Sequence, residues 1–157
     1  MTFFKKTRSS VLRSLPYWSL AGILASSMSL SSTACAENSE LQPCPDSPNC
    51  VLSAQTDKDN KSYIAPLSPV KSTNQTGIEK IAAVIKDMKR VEIVKQTDQY
   101  LHAEFTSAVF RFVDDVEFLQ TEDGTIHVRS ASRVGHSDFG VNRKRVEKIR
   151  ELLVADN

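Results

Sequence analysis

An Asp123-Gly124 dipeptide between two alternating apolar runs is the feature that most constrains what this chain can fold into. Both residue types tolerate the positive φ angles of the tightest β-hairpin turns. The flanking runs, Val109 to Gln120 and Thr125 to Val134, alternate apolar and polar residues with the period of a strand. They predict two antiparallel strands joined at Asp123-Gly124.

A two-residue turn at this dipeptide would place Glu122 opposite Thr125 and thereby fix the pairing of the two strands. Asp114 then lies opposite Arg133. The strand face that carries Asp114 also carries large apolar side chains, so we expect it to face the core: Phe110, Phe112, Val116 and Phe118. A carboxylate on an apolar face needs a hydrogen-bonded partner, and this register predicts that Arg133 supplies it.

The segments around the hairpin complete the predicted fold. Thr76-Gly77-Ile78-Glu79 is a capping box, and the apolar stripe after it predicts a helix that ends near Met88 to Arg90. Val91 to Val94 and Tyr100 to Thr106 predict two further strands. A loop leads to a closing helix with Val146, Ile149 and Leu153 on one side. We therefore predict an α+β fold: a four-stranded antiparallel meander with two helices packed on one face.

The first 36 residues have the pattern of a secretory signal. They contain four basic residues and no acidic one, then an apolar run from Leu15 to Leu30, then small residues up to Ala36. A retained transmembrane helix is the alternative, which the shortness and serine content of the run disfavour. We expect residues 1–36 to direct the chain out of the cytoplasm.

Two processing routes stay open. Ala34-Cys35-Ala36 fits cleavage before Glu37, whereas Thr33-Ala34-Cys35 resembles a bacterial lipoprotein signal in which Cys35 is lipidated. Ser32 stands where such signals usually carry Leu. Lipidation would account for the odd cysteine of the chain, since Cys44 and Cys50 form a pair. The two routes predict a protein that is either lipid-anchored to the envelope membrane or free in the periplasm.

Residues 37–75 are polar and carry all but one of the prolines. We predict an extended lead-in that wraps the α+β domain of residues 76–157. In an exported protein, the spacing of Cys44 and Cys50 favours a local disulfide that closes a proline-stiffened loop. A redox-active cysteine pair is the alternative, but the cysteines of such pairs usually have two residues between them.

The charge of the processed chain excludes one class of partner. Removal of residues 1–36 leaves 16 basic and 19 acidic residues, a net charge of −3. A slightly acidic protein is a poor candidate for nonspecific binding to nucleic acid or to anionic membranes. We expect no nucleic-acid partner, and membrane contact only through a lipid on Cys35.

The start of the closing helix is unusual because Arg143, Lys144 and Arg145 crowd its first turn, where the helix dipole disfavours cations. Asp138 as a cap, the strand carboxylates or a bound anion would compensate. Helix N-termini with Arg and Ser nearby can bind anions; a solvated basic face is the alternative. The residues that we predict to bind a ligand are Asp114, Arg129, Ser130, Ser132, Arg133, Asp138, Asn142 and Arg143.

Three segments of this chain resemble the family named domain of unknown function 1499. They are Cys44-Pro45-Asp46-Ser47-Pro48-Asn49-Cys50, Phe112-Val113-Asp114-Asp115-Val116-Glu117, and the run from Arg129 to Arg143. His136 stands where Tyr is more familiar in that family, and Leu52 where Ser is. The resemblance implies a bacterial exported or membrane-anchored protein with plastid relatives. It implies no reaction, substrate or cofactor.

We expect a non-enzymatic envelope protein whose Arg/Asp/Ser pocket binds a small anionic group or a partner's carboxylate, without a cofactor or metal. One alternative is a hydrolase-type enzyme that uses Asp114 or Asp115 with Arg129 and Arg133 as electrostatic stabilisers. The other is a purely structural envelope protein in which every charge holds the hairpin together. The position of these charged groups in the fold discriminates among the three.

Overall fold

The computed structural model describes residues 40–68 and 75–155. All of these residues belong to one compact unit of the chain. The predicted signal, residues 1–36, and the lipidation candidate Cys35 lie outside the described residues. No helix within the described ranges is long and apolar enough to cross a membrane.

The described chain forms five strands and two helices. Along the sequence these are β1 (Cys50–Leu52), α1 (Gly77–Lys86), β2 (Val91–Gln96), β3 (Tyr100–Thr106), β4 (Val113–Gln120), β5 (Ile126–Ser132) and α2 (Val141–Ala155). The strands form one antiparallel sheet in the order β1-β5-β4-β3-β2. The predicted α+β class is confirmed, with one strand more than the predicted four.

The additional strand is β1, which lies in the predicted lead-in and pairs with β5 through Cys50 opposite Ala131 and Leu52 opposite Arg129. Three residues next to a disulfide-closed loop are too short to show an alternating pattern. The lead-in also contributes Ile64 and Leu67 to the core. It is therefore part of the packed fold.

Helix α1 begins as its capping box predicts. The Thr76 hydroxyl accepts a hydrogen bond from the Glu79 amide at 3.1 Å, and the Glu79 carboxylate accepts one from the Thr76 amide at 2.8 Å. These two bonds satisfy amide groups that a helix start leaves without partners. The helix then buries Ile78, Ile81 and Ile85.

The core lies between the two helices and one face of the sheet. On the sheet side it is formed by alternate residues of β3, β4 and β5: Leu101, Ala103, Phe105, Val116, Phe118, Ile126 and Val128. On the helix side, α2 contributes Val146, Ile149 and Leu153, as predicted. We call this face of the sheet the inner face and the opposite one the outer face.

Two arginines of α2 bind the lead-in to the domain. Arg143 donates through Nη2 to the carbonyl oxygens of Lys61 and Tyr63, both at 2.8 Å. Seven residues further along α2, Arg150 donates to the carbonyl oxygens of Ala65 at 2.6 Å and Pro66 at 2.8 Å. Backbone carbonyls of an irregular segment are thereby given partners that no strand provides.

The central hairpin differs from the predicted register by one residue. The Thr121 amide bonds to the Thr125 carbonyl at 2.9 Å, and the Gly124 amide bonds back to the Thr121 carbonyl at 2.9 Å. Gly124 has φ +84°. This is a three-residue loop with a left-handed glycine, the next commonest hairpin connection after the two-residue turn. Consequently Asp114 lies opposite Ser132, and Arg133 projects to the outer face.

The start of β4 also differs from the prediction, which placed it at Val109. The strand begins at Val113, and Phe110 and Phe112 are 74% and 50% exposed. Arg111, between them, has φ +56°, which interrupts the strand. The prediction that both rings face the core was therefore wrong, whereas Asp114, Val116 and Phe118 are buried on the inner face as expected.

Replacing Gly124 by Ala should lower the free energy of unfolding by about 1 kcal/mol, because an L side chain at this φ is strained. Gly124→Asn is the matched control, since Asn tolerates the left-handed region. Urea unfolding followed by circular dichroism measures both. Equal stability of Gly124→Ala and wild type would contradict the left-handed loop.

Candidate functional site

Five polar side chains and the backbone carbonyl of Asn49 meet where β1, β4, β5 and the start of α2 come together, and we call this set of six residues the polar cluster. Its members are Asn49, Asp114, Ser130, Ser132, Asn142 and Arg145. They come from four separate segments of the chain. All the segments quoted for the family resemblance contribute at least one member.

Asn142 connects the members of the polar cluster. It is fully buried, and its amide nitrogen donates to the Asn49 carbonyl at 3.0 Å and to the Ser132 hydroxyl at 3.1 Å. Its amide oxygen accepts from the Ser130 hydroxyl and from Arg145, each at 2.6 Å. The amide therefore makes all four hydrogen bonds that it can make, which gives the polar groups of a dry site their partners.

Asp114 pairs with Arg145 of α2, not with Arg133, so the predicted Asp114–Arg133 pair was wrong. The Arg145 Nη2 bonds directly to the Asp114 carboxylate, and the two side chains are only 10% and 8% exposed. The guanidinium also lies 4.8 Å from the centre of the Phe105 ring. The expectation that a carboxylate on the inner face needs a charged partner holds, but the helix supplies that partner.

Arg133 belongs to an ion network on the outer face. It donates to both oxygens of Asp115 at 2.8 Å and also contacts Glu104, while His102 lies 2.7 Å from the Asp115 carboxylate. Bidentate pairing of this kind fixes geometry as well as charge. The pKa of Arg133 is raised above its usual value, first by the hydrogen bond to Asp115 and then by that to Glu104.

Arg129 lies on the same outer face, where it pairs with Glu117 at 3.1 Å. Glu117 accepts a second hydrogen bond from the Tyr100 hydroxyl at 2.7 Å. Burial and this bond to Glu117 raise the pKa of Tyr100. The outer-face charges are thus paired with each other across three strands.

The pKa of Asp115 is set by opposing effects. Partial burial pushes it upward, but the hydrogen bonds from Arg133 and His102 outweigh burial and hold it below its usual value. A carboxyl group whose pKa is lower in the folded than in the unfolded protein stabilises the fold when it is ionised.

A cleft of about 720 Å³ opens beside the polar cluster. Its walls are the Cys44–Cys50 loop, the segment around residues 54–62, and the start of α2. The predicted disulfide between Cys44 and Cys50 is confirmed. Two basic residues, Lys61 and Arg143, and three acidic residues, Glu40, Asp46 and Asp138, line the cleft.

Asn49 holds the disulfide loop in place at this cleft. Its amide nitrogen donates to the Gly135 carbonyl at 2.6 Å, and its amide oxygen accepts from the Ser47 hydroxyl at 2.6 Å. The Asn49 carbonyl accepts from the Ser132 amide at 3.0 Å. The loop is therefore closed by a disulfide and also hydrogen-bonded to β5 and to the segment after it.

Asp138 caps α2. One carboxylate oxygen accepts from the Asn142 amide at 2.8 Å and the other from the Gly140 amide at 2.9 Å. An acidic cap compensates for the three basic residues in the first turn, as one of the predicted options proposed.

The predicted ligand-binding residues occupy three places. Asp138 and Arg143 line the cleft. Asp114, Ser130, Ser132 and Asn142 belong to the polar cluster. Arg129 and Arg133 lie on the opposite face of the sheet. Their charged groups do not converge on one concavity, so the pocket predicted above an Asp114–Arg133 floor is not formed.

Sequence reasoning missed Asn49, Lys61 and Arg145 as site residues. Asn49 stood in the quoted disulfide motif, and Arg145 lies three residues after Asn142, the spacing at which helix side chains meet. Within the described ranges, no group of three or more His, Cys, Asp or Glu side chains is placed to hold a metal ion.

The fold and the polar cluster define a small α+β protein in which a disulfide-closed loop is held against the start of a helix. The chain belongs to the family described as protein of unknown function (DUF1499), whose model matches residues 40–153 of the 157. The resemblance noted from the motifs is thereby confirmed. No curated protein matches the sequence.

Arg145→Ala should lower the free energy of unfolding by about 3–5 kcal/mol, because it leaves Asp114 as a buried charge without its partner. Lys144→Ala, which removes the exposed base next to it, is the matched control and should change stability by less than about 0.5 kcal/mol. Urea unfolding measures both variants. Similar losses for the two would contradict a stabilising role of the buried ion pair.

Asp115→Asn should make the protein less sensitive to acid. The stability that ionised Asp115 contributes is present above its unfolded pKa of about 3.9 and is lost as the pH falls through its lower folded pKa. The urea midpoint should therefore fall less between about pH 4 and pH 2 in Asp115→Asn than in wild type. Glu122→Gln, in the hairpin loop, is the control. A wild-type acid response in Asp115→Asn would contradict the assignment.

Proposed function

We propose that this protein is a non-enzymatic module of the bacterial cell envelope that binds a small anionic group or a partner's carboxylate. The proposed site is the cleft between the Cys44–Cys50 loop and the start of α2, rather than the surface over the central hairpin. The observation that carries the proposal is the position of the Arg143 guanidinium at this cleft.

Arg143 is held in place but lacks a charged partner. Its Nη2 atom is fixed by the carbonyl oxygens of Lys61 and Tyr63. Within the described part of the chain it makes no ion pair with a carboxylate. A guanidinium in this state keeps donors and its full charge for an anionic ligand, and little side-chain freedom is lost when the ligand binds.

The surroundings of Arg143 support the same ligand class. Lys61 lines the cleft as a second cation, and the exposed acids Glu40 and Asp46 line it as well. Asp138 also lines it, but both of its oxygens accept backbone amides at the start of α2, where the helix dipole favours a negative charge. The volume of the cleft lies in the range of sites for small molecules.

The walls of the cleft are held rigidly, which supports a role in ligand binding. The disulfide closes the Cys44–Cys50 loop, and Asn49 ties that loop to the buried amide of Asn142. Sites whose supporting side chains are locked by further hydrogen bonds lose less entropy on binding. The polar cluster therefore holds the walls of the cleft in place, and the residues that line the cleft contact the ligand.

The geometry gives less support to the hydrolase alternative. Asp114 is enclosed with Arg145 on the inner face, whereas Arg129 and Arg133 lie on the outer face. Asp115 does lie with Arg133, but both of its oxygens are already hydrogen-bonded to that side chain. A general base needs a free oxygen within reach of a substrate proton.

We also propose that residues 1–36 export the chain and that the mature protein is periplasmic or lipid-anchored through Cys35. The mass of the mature N-terminal peptide from cells separates the two routes. A lipidated Cys35 and a free Glu37 both support export, and an uncleaved cytoplasmic chain contradicts it.

Arg143→Ala should weaken binding of an anionic probe at least about tenfold, because a hydrogen bond to a charged group is lost. A thermal-shift screen of the wild type with inorganic phosphate, citrate and a neutral sugar identifies the probe, and titration calorimetry compares the variants. Arg150→Ala is the matched control. It loses the same kind of bonds to lead-in carbonyls, Ala65 and Pro66, but does not line the cleft.

Arg150→Ala should therefore bind the probe as wild type does. Unchanged melting temperatures with every anion, or equal affinities of Arg143→Ala and wild type, would contradict the proposal. Equal weakening by both variants would assign the effect to a loosened lead-in and would also contradict it.

A further inference from the structure

One end of the molecule carries most of the exposed large apolar side chains. Among the described residues, six of the eight such side chains belong to the loop before β4 and to the stretch that runs from the end of β5 to the first residue of α2. We call these six residues the apolar end: Val109, Phe110, Phe112, Val134, Phe139 and Val141.

The strand pairing places these two segments together. Asp114 lies opposite Ser132, and the Arg133 amide bonds to the Val113 carbonyl at 3.1 Å, so the chain enters β4 and leaves β5 at the same end of the sheet. Helix α2 starts there too, since Asn142 bonds to Ser132 at 3.1 Å.

The exposure of these side chains does not serve the packing of the described fold. Phe110 and Phe112 stack on each other with ring centres 5.5 Å apart, yet both remain at least half exposed. Phe139 is 89% exposed and has φ +54°, a conformation that is rare and strained for a bulky residue. An exposed ring on a strained backbone lowers the stability of the fold. A contact with another molecule explains the position of Phe139 better than packing within the fold does.

We infer that the apolar end inserts into the surface of an anionic phospholipid bilayer. This contact goes beyond ligand binding in the cleft, and it rests on the proposed export only for its location in the cell. Phenylalanine and valine side chains on neighbouring loops, next to basic residues, have the composition with which peripheral proteins enter the interfacial region.

The local charge fits an anionic surface although the processed chain is acidic. From Ser107 to Val113 and from Val134 to Lys144, the sequence contains the bases Arg111, Arg143 and Lys144 and one acid, Asp138. That acid is the cap of α2. The net charge of −3 opposes adsorption through the whole surface, but a basic end within a Debye length of the headgroups is attracted to them.

The point at which the chain enters the described fold fits as well. Glu40 and Leu41 line the cleft together with Asp138 and Gly140, which precede α2. Cys35 is five residues before Glu40, a distance of at most roughly 18 Å for an extended chain. A lipid on Cys35 would therefore tether the described fold close to the bilayer.

The test compares two double variants of residues 37–157, which contain every helix, strand and core residue that the structure describes. Phe110→Asp/Phe139→Asp changes the apolar end. Val94→Asp/Val154→Asp changes the other two exposed apolar side chains and is the matched control. All four positions are exposed, so both proteins should melt near the wild-type temperature.

Co-sedimentation with vesicles of phosphatidylglycerol and phosphatidylethanolamine measures binding, and phosphatidylcholine vesicles measure its dependence on lipid charge. The Phe110→Asp/Phe139→Asp protein should bind the anionic vesicles about tenfold more weakly than wild type or worse, because two apolar rings are lost. The control should bind as wild type does, and phosphatidylcholine should bind wild type more weakly.

No binding of wild type to anionic vesicles, equal binding of the two double variants, or equal binding to both lipids would overturn the inference. Concentration-dependent dimerisation that Phe110→Asp/Phe139→Asp abolishes, without vesicle binding, would overturn it in favour of a second copy of the chain. Arg143→Ala should lose its affinity for the anionic probe but keep most of its vesicle binding, because the apolar side chains and the bases Arg111 and Lys144 remain, so the two proposals fail separately.

Discussion

The buried ion pair between Asp114 and Arg145 is the interaction on which the arrangement of this protein depends. A carboxylate in the middle of an apolar sheet face is costly unless it is paired and hydrogen-bonded, and the helix that packs on that face supplies the partner. This requirement determines how the first turn of α2 docks on the sheet. Asn142, one turn before Arg145, is thereby placed between β5 and the disulfide loop, where its amide hydrogen-bonds to both.

The sequence predicted the elements of the fold better than their pairing. Local signals identified α1 from its capping box, the strands from their alternation, and α2 from its apolar stripe, since each signal is contained within a few residues. Strand β1 was missed because its three residues carry no period. Asp123-Gly124 correctly located the hairpin, but the dipeptide fits a two-residue and a three-residue loop, which differ by one residue in register.

The apolar pattern of β5 indicated the pairing register with β4, which the turn sequence left open. Ile126 and Val128 are buried on the inner face, whereas the predicted register would have placed Arg129 opposite Phe118 there. A shift of one residue moves every side chain of a strand relative to its partner, so it also moved Arg133 away from Asp114. The sequence indicated that Asp114 needs a cation; it could not indicate Arg145, because a contact between a strand and a distant helix leaves no local pattern.

The three consecutive bases of α2 are explained by helical geometry. Successive side chains of an α-helix project about 100° apart, so Arg143, Lys144 and Arg145 point in three directions although they adjoin in sequence. Arg143 contacts the lead-in and lines the cleft, Lys144 is exposed, and Arg145 reaches the inner face. Asp138 offsets their unfavourable interaction with the helix dipole from the cap position. One turn of helix thus joins the core, the lead-in and the cleft, and this shared origin explains why residues far apart in sequence meet at one end of the molecule.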